Sequence, residues 1–212
     1  MAFPRSYFRF KLILAGVLMP AYLGAAVYNF SSGTAITIND NATASPYPGT
    51  LTASGVTGTV TNITVTLMNL THGFLDDIAV LLVGPGGQSV LLFDGLGASD
   101  SVVNVTLTFS DAAATQLTSP VVTGSYQPGL DIYGDVLSGP APGQPYGTTM
   151  SVFNSIDPNG TWSLYIQDFV AGSSGSLADW SIEITTLDAP EPASLALAGA
   201  GLLLIGLIRR KY

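Results

Sequence analysis

Few side chains in this sequence could move a proton or hold an ion. The one histidine, His72, stands in Thr71-His72-Gly73-Phe74-Leu75-Asp76-Asp77-Ile78. An imidazole beside carboxylates, in a chain full of serines, supplies the residue types of a nucleophile, base and orienting acid. Proximity to serine means little here, because every Asp in so Ser-rich a chain has one nearby. No Gly-x-Ser-x-Gly elbow is present either. His72 therefore reads as a structural turn residue, and the expected set of catalytic residues is empty. The acidic turns suit an ion better. Asp76 and Asp77 adjoin, and Asp94 and Asp100 flank the Gly95–Ser99 loop. Calcium takes roughly six to eight oxygens, many of them from flexible loops. These four aspartates are the candidate calcium ligands, although they match no EF-hand or repeat spacing, and solvated turn carboxylates are the plainer reading. No other cofactor is expected.

The distribution of charge narrows the function further. Charged residues make up 9 % of the chain, against roughly 25 % in an average soluble domain. All six basic residues lie at the ends: Arg5, Arg9 and Lys11, then Arg209, Arg210 and Lys211. All 14 acidic residues lie between them, so the interval 12–208 has a formal charge of −14. Such a body repels nucleic acid and anionic lipid. It also lacks the basic anchor that an enzyme of anionic metabolites needs. Cysteine is absent, which excludes a disulfide framework, a thiolate metal site and a cysteine nucleophile.

Both ends read as targeting segments. Arg5, Arg9 and Lys11 precede an apolar run from Leu12 to Leu23, and Gly24-Ala25-Ala26 follows. That is the layout of a secretory signal peptide, residues 1–26, cut after Ala26 by signal peptidase. At the other end, 193–208 is uncharged and mostly apolar, and Arg209-Arg210-Lys211 follows it. A helix there rises about 1.5 Å per residue, which makes a short transmembrane span. The basic stop stays on the cytoplasmic side and the body faces outward. Pro190-Glu191-Pro192, the apolar span and Arg209-Arg210-Lys211 together resemble the PEP-CTERM sorting signal of Gram-negative bacteria. The resemblance covers 190–212. It implies export across the inner membrane, transient anchoring there, processing by an exosortase-type enzyme, and delivery to the cell surface or an exopolysaccharide matrix.

Between the ends, period-2 alternation dominates. Ile63, Val65 and Leu67 alternate with Thr64 and Thr66. Val103, Val105, Leu107 and Phe109 alternate with Asn104, Thr106 and Thr108. Trp162, Leu164 and Ile166 form one such face, and Trp180, Ile182 and Ile184 another. Trp162, Leu164, Ile166, Trp180 and Ile182 are the predicted structural core, with the two tryptophans expected on adjacent strands. Ile78 to Val83 is apolar throughout, as in a strand covered on both faces. Gly84-Pro85-Gly86-Gly87, Asp157-Pro158-Asn159-Gly160 and 171–176 read as turns. The fold class is all-β: a single β-sandwich or jelly roll of about eight or nine strands, occupying 27–189. The Gly/Pro-rich stretch 127–147 is a long loop. Tyr126, Tyr133 and Tyr146 lie in or beside it, expected at the surface, either to stack on sugars or to pack the loop down.

Two blocks resemble the P domain, the β-sandwich that follows the protease domain of proprotein convertases and many bacterial subtilases. The first runs from Val65 to Asp94, with Asp77-Ile78 at the family's Asp-Leu and Leu75-Asp76 where Gly is common. The second runs from Asn159 to Ile184, with Gly160, Trp162, Leu164, Ile166, Asp168, Gly175, Leu177 and Trp180 at matching positions. Catalytic residues in that family belong to the neighbouring protease domain. The expected function is thus non-enzymatic: an exported surface or matrix protein with a structural or adhesive role. The alternative is a secreted module that binds a polysaccharide or a surface protein.

Overall fold

The computed structural model describes residues 24–187 except Gly97. Twelve strands occur among them: β1 (Ala25–Ser31), β2 (Ile36–Ile38), β3 (Gly49–Ala53), β4 (Thr59–His72), β5 (Ile78–Val83), β6 (Ser89–Asp94), β7 (Val102–Phe109), β8 (Gly124–Tyr126), β9 (Leu130–Asp131), β10 (Gly160–Asp168), β11 (Gly175–Leu177) and β12 (Asp179–Leu187). Expectation and structure differ in number because β2, β8, β9 and β11 are two or three residues long. So short a strand shows no alternation to read. The expected signal peptide, apart from Gly24–Ala26, and the expected span 193–208 lie outside the described residues. Among the described residues no helix is long and apolar enough to cross a membrane.

Two sheets form a sandwich-like all-β fold. The seven-stranded sheet runs β1-β12-β4-β11-β2, with β7 on the other side of β4 and β8 beside β7. The five-stranded sheet runs β3-β10-β5-β6-β9. Pairs are antiparallel except β6–β9 and β7–β8. The inward residues close one core. Trp162, Trp180, Phe93, Phe109 and Phe153 are among its largest fully buried side chains. Phe93 of β6 stacks on Phe109 of β7 across the sheets, with ring centroids 6.0 Å apart. Trp162 meets Phe153 edge-on at 5.0 Å, and its indole N–H donates to the Pro158 carbonyl at 3.0 Å. Trp162 and Trp180 do not lie on adjacent strands, as alternation alone suggested. β10 and β12 belong to opposite sheets. Alternation shows which side of a strand is apolar, not which sheet the strand joins.

The five-stranded sheet carries a second apolar layer. Ala79, Leu81, Leu91 and Tyr165 point away from the main core and are covered by Leu137, Ala141, Tyr146 and Tyr47. Much of that cover belongs to the 127–147 loop. The Tyr47 hydroxyl donates to the Ser138 carbonyl at 2.7 Å, and Tyr47 meets Tyr165 edge-on at 5.1 Å. The loop thus packs down on a sheet face, and Ile78–Val83 is apolar throughout because both of its faces are covered. Tyr126 is buried, contrary to expectation, and its hydroxyl donates to the Val122 carbonyl at 2.8 Å.

Candidate functional site

A break in the alternation of β4 directs the one imidazole inward. Val65 and Leu67 face the core, and simple alternation would next bury Asn69 and Thr71. Instead the pairing with β7 shifts register between Leu67 and Leu70, and Asn69 takes φ 53°. Asn tolerates that left-handed conformation better than most residues. The bulge reverses the parity, so Leu70 and His72 point inward. His72 is 1 % exposed. Its Nδ1 lies 2.9 Å from the Phe74 carbonyl oxygen. Its Nε2 lies 3.2 Å from Oδ2 of Asp168, which ends β10 in the other sheet. The two atoms are in contact but without the alignment of a hydrogen bond. Oδ1 of Asp168 accepts the Val170 N–H at 2.9 Å. Burial holds the Asp168 carboxyl above the usual range, opposed by the Val170 N–H and by His72.

Glycine makes room for this pair. A Cβ on Gly175 of β11 would lie 2.2 Å from the Thr71 carbonyl oxygen and 2.6 Å from Cδ2 of His72. Any larger residue there would push β11 off β4. The Gly175 position of the second sequence block therefore has a packing reason of its own.

Beyond the pair lies an acidic loop region. Asp76 accepts the Leu96 N–H at 2.6 Å and the Tyr133 hydroxyl at 2.5 Å. Asp94 is 1 % exposed and accepts the Asp135 N–H at 2.9 Å. Burial raises its pKa to about 6, and the nearby Asp135 and Asp131 add to the rise. Burial also raises Asp77 and Asp135. Asp76, Asp77, Tyr133, Asp135, Phe169 and Val170 line a cleft of about 530 Å³. Asp100 turns elsewhere and accepts the Ser119 hydroxyl at 3.1 Å. Of the four aspartates picked out in the sequence, Asp76 and Asp77 line this cleft. Asp94 lies behind it, and Asp100 serves a separate loop contact. Among the described residues no three His, Asp or Glu side chains converge as a metal ion requires. Tyr133 is 54 % exposed and is tied to Asp76.

A buried imidazole held between a backbone carbonyl and a carboxylate has no open side for a substrate. Sequence reasoning treated His72 and Asp168 separately and did not join them. One signal was available: in a body without Lys or Arg, a buried Asp has only His or N–H groups to offset its charge.

The predicted core residues Trp162, Leu164, Ile166, Trp180 and Ile182 are all buried in the inter-sheet core. The predicted sorting residues Pro190, Glu191, Pro192, Arg209, Arg210 and Lys211 lie outside the described residues. Comparison with known proteins bears on that end of the chain. Residues 188–211 match the PEP-CTERM protein-sorting motif. No curated protein matches the chain. Among solved structures it is similar to a chain of the complex between an Aeromonas sobria serine protease and its chaperone, at 17 % identity and a TM-score of 0.41, over 79 % of this chain and 28 % of that one. It is similar also to the serine protease of Aeromonas sobria, at 16 % identity and a TM-score of 0.38, over 81 % of this chain and 28 % of that one. The sorting motif begins directly after Leu187, the last residue of β12.

Proposed function

We propose that this protein is an exported, non-enzymatic β-sandwich of the cell surface or extracellular matrix, with a structural or adhesive role. The observation that carries the reading is the PEP-CTERM motif at 188–211, set directly after the final strand. That motif is characteristic of surface proteins of Gram-negative bacteria processed by an exosortase-type enzyme. The proposed organisation is a signal peptide at 1–26, a sandwich at 27–189 and a sorting segment at 190–212 whose apolar part, 193–208, anchors transiently in the inner membrane. Signal peptidase and the exosortase-type enzyme are its processing partners. The lack of Lys and Arg between 12 and 208 and the fully buried His72–Asp168 pair support a role without chemistry.

Intact-mass measurement of material recovered from the cell surface tests the reading. The expected mass lacks the N-terminal segment and 193–212. Replacement of Pro190-Glu191-Pro192 by three alanines should leave the protein in the membrane fraction with its tail. Surface material that still carries the apolar span and Arg209-Arg210-Lys211 would refute the proposal.

A further inference from the structure

We propose that a second cleft, lined by Gln116, Gln127 and Thr148, binds a neutral sugar unit. The inference rests on the cleft alone and stands whether or not the export reading does. Asp111, Gly129 and Thr149 complete much of the lining, and the volume is about 470 Å³. That is within the roughly 300–1,000 Å³ of small-molecule sites. The cleft lies where the chain crosses between the sheets, since residues 127–129 join β8 of one sheet to β9 of the other.

Its walls are tied together before any ligand arrives. Gln116 and Gln127 pair as an isolated parallel bridge, and the Gln127 N–H donates to the Thr115 carbonyl at 2.7 Å. Nε2 of Gln116 donates to the Pro128 carbonyl at 3.3 Å, and Nε2 of Gln127 donates to the Ala113 carbonyl at 2.8 Å. Oδ1 of Asp111 accepts the Met150 N–H at 2.7 Å, and Oδ2 accepts the Ser151 N–H at 2.8 Å. Gly129 lets 127–129 approach Thr148. A Cβ there would lie 2.6 Å from the Thr148 carbonyl oxygen, and its φ is 85°. A site fixed in this way needs little further ordering to bind.

The lining selects the ligand. Most small-molecule sites are lined by apolar side chains. Here amides, hydroxyls and one carboxylate do so, so the occupant must itself present a polar surface. Each glutamine amide is oriented through its N–H, which leaves Oε1 to accept from a ligand. Thr148 and Thr149 add hydroxyls, which both donate and accept. Sugar hydroxyls also do both, whereas an ammonium group only donates. An anion finds no Lys or Arg between 12 and 208 and meets the Asp111 carboxylate.

Saturation-transfer NMR of the full chain, in a detergent without a sugar headgroup, tests this. The probes are glucose, galactose, mannose and N-acetylglucosamine, with glucuronate as the anionic counterpart. At least one neutral sugar should bind, and glucuronate should bind more weakly than glucose. Gln116→Leu and Thr148→Val should each weaken the binding about fivefold, as expected for one hydrogen bond. Thr66→Val, on the outer face of the seven-stranded sheet, should leave it unchanged. A methyl glycoside of the bound sugar separates two sources: retained binding supports a polysaccharide unit, and lost binding supports a free sugar. Failure of every neutral sugar to bind overturns the proposal. So does binding that survives both cleft variants, or tighter binding of glucuronate. Should either variant fail to fold, hydrogen exchange of the unmodified chain decides. The bound sugar should protect the amides of Gln127, Met150 and Ser151, and unchanged exchange there overturns the proposal.

Discussion

The two sheets differ on their outer faces more than on their inner ones. The seven-stranded sheet shows the solvent alternating Asn62, Thr64 and Thr66 on β4, and Ser181, Glu183 and Thr185 on β12. The Thr66 and Thr108 hydroxyls lie 3.2 Å apart there. The five-stranded sheet instead turns Ala79, Leu81, Leu91 and Tyr165 outward, and its own 127–147 loop covers them. One sheet therefore needs a single packed face and the other needs two. The difference is written in the strands as alternation against continuous apolarity. It also places most of the long loop's apolar contacts with one sheet.

The largest expected effect lies where the two sheets meet. Trp162→Ala and Trp180→Ala should each cost about 3–5 kcal/mol, the range for a large aromatic removed from a closed core. Denaturant melts followed by the remaining tryptophan would measure the loss. A cost below about 1 kcal/mol for either would mean that the core is not shared between the sheets.

The covered outer face comes next. Leu81→Ala should cost about 2–4 kcal/mol and should loosen the loop. Limited proteolysis should then cut within 127–147 before any other described segment. If Leu81→Ala left the loop as resistant as before, the loop would be held by something other than that apolar layer.

A third effect comes from the acidic end of the five-stranded sheet. Asp94 has a folded pKa of about 6 against an ordinary 3.8. A group shifted upward stabilises the fold fully below its unfolded pKa, and that stability disappears as pH rises through the folded value. At about 1.4 kcal/mol per unit, Asp94 alone accounts for about 3 kcal/mol lost between pH 4 and pH 7. Asp168, Asp77 and Asp135 shift in the same direction. Asp157 and Asp179 are lowered, so their contribution is lost only as pH falls below the ordinary carboxylate range. Thermal melts should therefore peak in mildly acidic buffer, at about pH 4–5. Asp94→Asn should flatten the decline toward neutrality. A Tm that climbs steadily from pH 4 to pH 7 would contradict the buried placement of Asp94.

The smallest effect is the control for the comparison. Thr66→Ala on the exposed face of the seven-stranded sheet should change stability by no more than about 0.5 kcal/mol. A loss as large as that of Leu81→Ala would show that this face, too, is covered in the folded protein.

The sequence alone was enough for several features. Alternation at Ile63–Leu67, Trp162–Ile166 and Trp180–Ile184 specified half-buried strands, because side chains on a strand alternate between its two faces. In β7 it held only from Val105 to Phe109, since Asn104 takes φ 54° where the pairing with β4 shifts register, which buries Val102 and leaves Val103 72 % exposed. Unbroken apolarity from Ile78 to Val83 announced a strand with two covered faces. The C-terminal motif was legible because its information is local: a short polar signature, an apolar run and a basic end. Tertiary structure alone decided what depends on parity and on distant partners. The register shift at Asn69 turned His72 into the core, and the fold brought Asp168 to it from 96 positions along the chain. Sheet membership separated Trp162 from Trp180. A strand's own residues state which face is apolar. Which strand lies beside it, and whether its outer edge is paired, depends on chain far away in sequence.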